Sequence, residues 1–166
     1  MHGAYRLAGS QSDFTDELAA IWKLTAPSAF THERMQIENW DGIAIGGSTA
    51  ASLQELGDFY LSPYRIYAPQ RINSRVKSAN FAVRKIDIED VTWVKGLPVT
   101  RPERTLVDLC LDNEEWSLVE DAFNSASNLN FACLEKIVAR QSKRKNVQDS
   151  LSIIHALTER ILKGSS

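Results

Sequence analysis

Cysteine is nearly absent from this chain, with two residues among 166. Cys110 and Cys133 alone cannot build the disulfide framework of a small secreted scaffold, and they fit a reducing compartment. Histidine is almost as scarce. His2, His32 and His155 are the only ones, and neither cysteine lies in a Cys-x-x-Cys pair or at ligand spacing from a histidine. The usual patterns of a zinc site are therefore missing, and no metal or cofactor is expected. No apolar run approaches the roughly 18 residues of a membrane-spanning helix. The opening Met1-His2-Gly3-Ala4-Tyr5-Arg6 lacks the basic-then-apolar order of a secretory signal. A soluble, cytoplasmic protein with no membrane partner is expected.

Net charge is small as well: 19 Lys and Arg against 21 Asp and Glu give −2. Such a balance argues against a protein whose entire surface traps polyanions. It arises by cancellation between segments. No acid occurs between Phe59 and Ile86, where Arg65, Arg71, Arg75, Lys77, Arg84 and Lys85 supply six positive charges. Acids return at Asp87, Glu89 and Asp90 and continue through Asp108, Asp112, Glu114, Glu115, Glu120 and Asp121. A short basic cluster follows at Arg140, Lys143, Arg144 and Lys145. With 43% apolar residues, the chain can build a globular core in one domain.

Periodicity and turn residues place the elements. A lone strand is expected over residues 3–7, ending at Gly9-Ser10. Leu18, Ile21, Trp22 and Thr25 recur at helical spacing and predict a helix over 13–25, which Pro27 stops. A second helix is predicted over 27–40. Ser48, after Gly46-Gly47, is a candidate N-cap for a short helix through Leu56 that Gly57 terminates. Short β-branched and aromatic runs then predict strands near 64–68, 81–86 and 91–95. The second half returns to helical stripes: Leu106, Val107, Leu109 and Cys110, then Leu118, Val119, Ala122, Phe123 and Ala126. Cys133, Leu134 and Ile137 form the next, and Leu151, Ile154, Leu157 and Ile161 mark a last helix over 147–163. The expected fold class is α+β: a small mixed or antiparallel β-sheet packed with several α-helices, a helical C-terminal half, and one domain over 1–166.

Enzymatic patterns fail one by one. Gly46-Gly47-Ser48-Thr49-Ala50 lacks the second glycine that a serine nucleophile elbow requires. No Gly-Lys-Ser/Thr ending marks a phosphate-binding loop. No Asp or Glu has lysine two positions on, as a restriction-type nuclease core would. His155 shares a helical face with Leu151 and reads as a partly buried structural imidazole. The stretch from Tyr60 to Lys85, where Tyr60, Tyr64, Tyr67 and Phe81 alternate with arginines, is the best candidate for binding. Guanidinium groups and aromatic faces suit phosphates, exposed bases or an acidic protein. The competing expectation is a solvated hairpin with its aromatics packed inside.

The most specific stretch runs from Gly96-Leu97-Pro98-Val99-Thr100 through Arg101-Pro102-Glu103-Arg104-Thr105 to Leu106-Val107-Asp108-Leu109. Gly96 permits a turn, and Thr100 with Glu103 has the spacing of a reciprocal capping box. Pro102 suits a first helical turn, and Arg104 and Asp108 can pair across one turn. Its physics is that of a rigid strand-to-helix corner.

This pattern resembles the corner motif of the abortive-infection AbiEi family, the antitoxins of type IV toxin–antitoxin systems. The similarity extends upstream to Ser48-Thr49-Ala50-Ala51-Ser52-Leu53-Gln54-Glu55-Leu56-Gly57 and Ser62-Pro63-Tyr64-Arg65-Ile66-Tyr67, and downstream to residues 119–126. The resemblance carries structural family positions onto Gly96, Pro98, Thr100, Pro102, Glu103, Arg104, Thr105 and Asp108 and no catalytic residue. It implies a phage-defence antitoxin that antagonises a nucleotidyltransferase-like toxin without catalysis, meeting the toxin or its target. Family members usually begin with a DNA-binding winged helix-turn-helix. Here only residues 1–8 resemble a remnant, a wing strand, so the effector domain is the part expected. Two further readings remain open: a nucleic-acid-binding or dimerising domain of a transcriptional regulator, as a possible homodimer, and a degenerate nuclease-like enzyme.

Overall fold

The computed structural model describes residues 13–141 and 148–164. The predicted strand over 3–7, the wing-like residues 1–8 and the cations Lys143, Arg144 and Lys145 lie outside them. The architecture is α+β, with a mixed five-stranded sheet and a helical C-terminal half. No helix among the described residues is long and apolar enough to cross a membrane.

Helix α1 (Asp16–Leu24) begins behind Asp13, whose carboxylate accepts from the Thr15 N–H at 2.9 Å. Its Leu18, Ile21 and Trp22 form one buried face. The single helix predicted over 27–40 is instead broken into α2 (Thr31–Arg34) and a 3-10 turn (Ile37–Asn39), separated by an extended Gln36. Arg34 explains the break. It donates to the Trp22 carbonyl at 2.7 Å, to Thr25 Oγ1 at 2.9 Å and to Asp41 at 2.7 Å, and lies 4.1 Å over the Trp22 ring. These tertiary bonds win over local helical continuity, and Ile37 is left exposed.

The strands are β1 (Ala44–Ile45), β2 (Tyr64–Ala68), β3 (Ala79–Val83), β4 (Val91–Val94) and β5 (Leu97–Thr100), in the spatial order β3-β2-β1-β5-β4. Parallel pairs β2/β3 and β1/β5 alternate with antiparallel pairs β1/β2 and β4/β5. Two expectations need correction. The strand predicted over 81–86 is shifted to Ala79–Val83, because β2 ends before Pro69 and offers nothing to Lys85 and Ile86; Ile86 turns instead into a cluster with Ala44, Tyr67 and Val91. The stretch is also no hairpin. Since β2 and β3 are parallel, residues 69–78 cross over, and their Ile72 and Val76 pack on the α1 side of the sheet.

That side carries Ile43, Ile45, Tyr64, Ile66, Leu97 and Val99 against α1. Helix α3 (Gly47–Leu53) follows β1 directly. Its N-cap is Gly46, not Ser48, and no side chain caps it; it ends at Leu53, short of Gly57. Gly57 is needed for another reason: at φ +67°, a Cβ there would come within 2.9 Å of the Ala122 backbone nitrogen. Helix α4 (Pro102–Leu111) is buried from Glu103 to Cys110. Its Leu106, Val107, Leu109 and Cys110 join Val119, Ala122 and Phe123 of α5 (Trp116–Ser125), Leu134 and Ile137 of α6 (Phe131–Gln141), and Ile154 and Leu157 of α7 (Gln148–Gly164). Each fully buried Leu, Ile or Phe contributes about 1.5–3 kcal/mol. His155, predicted as partly buried, is exposed: Ile154 and Leu157 take the inward positions of α7.

Candidate functional site

Three residues of α4 and its C-cap, Arg104, Asp108 and Asp112, recur at four-residue spacing and so share one helical face. From it runs a continuous ladder of alternating charge. Arg104 Nε donates to Asp108 Oδ2 at 3.0 Å, and its Nη1 lies 3.2 Å from Asp90 Oδ2. The second Asp90 oxygen accepts from Arg140 Nη2 at 2.7 Å, and Arg140 also bonds Asp87. In the other direction, Asp108 Oδ1 accepts from Arg84 at 3.0 Å, and Arg84 donates to Asp112 Oδ1 at 2.6 Å. Arg65 closes that end, 3.5 Å from Asp112 and 3.1 Å from Asn80 Oδ1.

Tyr67 stands inside the ladder. Its hydroxyl donates to Asp112 Oδ2 at 2.9 Å and accepts from Arg84 Nη1 at 2.9 Å, while the Arg84 guanidinium lies 4.5 Å over the ring. Burial, reinforced by Asp108 and Asp112, pushes this phenol well above its ordinary pKa, so it stays a donor. Burial also pushes the Asp108 carboxyl up, against the pull of Arg104 and Arg84. For Arg84, burial opposes the charge, but Tyr67, Asp108 and Asp112 outweigh it and raise its pKa. Two ladder atoms are left over: Arg104 Nη2 and Arg140 Nε are buried with no hydrogen-bond partner, an electrostatic cost inside an otherwise paired chain. Gly46 lets the ladder close. A Cβ there would sit 1.9 Å from Tyr67 Cε2.

The predicted binding residues therefore divide. Arg84 and Arg65 belong to the ladder, facing Asp108 and Asp112, and are not free for an anionic partner. Arg71, Arg75 and Lys77 lie on the crossover between β2 and β3, exposed, and Lys85 is exposed just past β3. Among the described residues none of these four forms an ion pair. Of the interleaved aromatics, Tyr64 and Tyr67 are buried and Tyr60 is 87% exposed.

The corner motif is architecture throughout. Lys95 and Gly96, at φ +51° and +78°, form the two-residue turn joining β4 to β5. Pro98 lies in β5 opposite Trp93. The expected capping box does not form. Thr100 is held in β5 opposite Val91, Arg101 becomes the N-cap and Pro102 the first helical residue. Thr100 Oγ1 instead meets Thr105 Oγ1 at 2.7 Å, Gln54 Nε2 donates to the Thr100 carbonyl at 3.0 Å, and Glu103 accepts the Asn130 N–H at 2.7 Å. Sequence reasoning paired Arg104 with Asp108 but missed Asp90, Asp112, Arg140 and Tyr67. Asp112 had a signal, its place one turn beyond Asp108. Asp90 and Arg140 are brought in by tertiary structure and had none.

No family model matches the chain, and no curated protein matches it. A solved structure does: the Rv2827c protein from Mycobacterium tuberculosis superposes with a TM-score of 0.52 at 16% identity, covering 89% of this chain and 57% of that one. At that identity the likeness is one of fold. The chain spans a little over half the length of that protein.

Proposed function

We propose that this chain is a cytoplasmic, non-catalytic effector domain of a type IV antitoxin, opposing a nucleotidyltransferase-like toxin by meeting the toxin or its target. The observation that carries the reading is the use made of the corner motif. The residues that resemble the AbiEi family are spent on the β4–β5 turn, the Thr100–Thr105 hydroxyl contact and the Arg104–Asp108 pair. A motif of buried groups bonded mostly to one another supports a family defined by its scaffold, with recognition left to exposed side chains. Arg71, Arg75, Lys77 and Lys85 are exposed cations of the acid-free stretch that are available for it.

Co-expression tests the proposal. Induction of the neighbouring toxin gene should arrest growth, and this domain should relieve the arrest. Arrest unchanged by a folded, well-expressed domain removes the antitoxin reading.

A second reading, a nucleic-acid-binding domain of a transcriptional regulator, is favoured by the same four unpaired cations. It predicts polyanion binding with a strong salt dependence, whose slope shrinks by roughly one for each phosphate-contacting cation removed. A flat salt profile eliminates it.

A further inference from the structure

The sheet ends at β3. In the parallel β2/β3 pair, Tyr64 N–H donates to the Ser78 carbonyl at 2.7 Å, and Arg84 N–H donates to the Ala68 carbonyl at 2.9 Å. Along one strand of such a ladder, alternate residues make both bonds to a given neighbour. Ser78, Asn80, Ala82 and Arg84 therefore face β2, and Phe81 and Val83 turn both their N–H and C=O groups outward. Among the described residues nothing pairs with them. Val83 is 64% exposed, an apolar side chain standing on an open edge.

Cations predominate around this edge; one acid, Glu17 of α1, stands at its start, where it accepts from Ser78 Oγ at 2.8 Å. Lys77 precedes β3, Lys85 follows it, and Arg71 and Arg75 stand on the crossover whose Ile72 and Val76 pack with Phe81 around a small cavity. No acid occurs anywhere between Phe59 and Ile86. The two arginines that do meet carboxylates, Arg65 and Arg84, meet them on the α4 side of the sheet.

We propose that the outer edge of β3 takes up an extended, acidic segment of a partner protein as an added strand, with Arg71, Arg75, Lys77 and Lys85 pairing its carboxylates. This rests on the reading above that these cations meet an anionic partner, and it names that partner's chemistry. Backbone groups repeating every second residue match a peptide and have no counterpart in a phosphate chain. Single-stranded nucleic acid would need successive aromatic platforms, yet Tyr64 and Tyr67 are buried and of the tyrosines in this stretch only Tyr60 is exposed. β3 is five residues long, about 17 Å of strand, so the segment is short and its side chains supply much of the selectivity.

The test uses the full chain with two probes: a fluorescein-labelled peptide of four Thr-Glu repeats and a labelled 20-nucleotide oligothymidylate. Val83→Pro removes one outward N–H while leaving the bonds to β2 in place, as an edge strand tolerates. The peptide should bind, slow amide hydrogen exchange at Phe81 and Val83, and bind at least ten-fold more weakly to Val83→Pro and to Lys77→Gln/Lys85→Gln. The exchange measurement on the unmutated chain stands whether or not the proline variant folds. Peptide bound without protection at Phe81 and Val83, or equally by a folded Val83→Pro, overturns strand addition. Oligothymidylate bound in place of the peptide also overturns it while leaving the cationic surface standing. Failure of both probes removes the cationic surface as well.

Discussion

Arg104 and Asp108 form a salt bridge at 3.0 Å with 1% and 0% of their side chains exposed. Four residues apart on a surface helix, such a pair would contribute about 0.3–0.5 kcal/mol. Buried, it sets the local electrostatics, because neither charge has water to fall back on. Arg104→Met leaves Asp108 and Asp90 short of a cation and should destabilise the fold by about 3–5 kcal/mol. Arg104→Met/Asp108→Leu should cost clearly less than the sum of its single substitutions. Urea unfolding of the four proteins in a double-mutant cycle measures the coupling, and additivity would contradict it.

That contrast shows how far the sequence could be read. Period and turn residues located α1, β2, β4 and the helices of the second half, since each needs only a local apolar face. They misplaced the break after Arg34, whose partners Trp22 and Asp41 are remote or tertiary, and the start of α4, where pairing of Thr100 with Val91 overrides a cap. The candidate site was half legible for the same reason. A run without acids marks Arg71 and Arg65 alike, while the fold alone decides which one meets Asp112.

The two groups of cations should separate experimentally. Neutralising Arg71, Arg75, Lys77 and Lys85 together should leave stability within roughly 0.5 kcal/mol per site of the parent while abolishing relief of toxin arrest. Arg84→Met should do the reverse to stability, strongly lowering the thermal midpoint because Asp108 and Asp112 lose their shared donor. Thermal melts beside the growth assay check both.

Gly46 tolerates no side chain. With the Tyr67 ring 1.9 Å from where a Cβ would lie, Gly46→Ala must push the ring off its bonds to Asp112 and Arg84. The expected cost is about 1–3 kcal/mol, read as a lower urea midpoint. Gly164→Ala, with open space around it, serves as the control.

Alkaline pH should probe the other side of the sheet. Burial and then the Glu17 hydrogen bond at 2.9 Å hold the Tyr64 phenol up at about 12. A pKa raised on folding contributes stability that is complete below the unfolded value near 10 and is lost as pH rises from there toward 12. Tyr64→Phe should therefore flatten the fall in stability over that window. An unchanged profile would count against the assignment.

The cysteines should differ in reach. Burial pushes the Cys110 thiol up to about 12, so iodoacetamide at pH 8 should leave it untouched in the folded protein and alkylate it in urea. Mass spectrometry of the digested protein reads the site directly.

The ladder also has an order in time. Its members enter the growing polypeptide as Arg65, Arg84, Asp87, Asp90, Arg104, Asp108, Asp112 and finally Arg140. A nascent chain that has released α4 already owns every group of the Tyr67 half, yet Asp87 still awaits its counterion and Asp90 one of its two. That far end can pair only after Arg140 of α6 leaves the ribosome, and since the apolar face of α4 packs on α6 and α7, core and ladder are completed together.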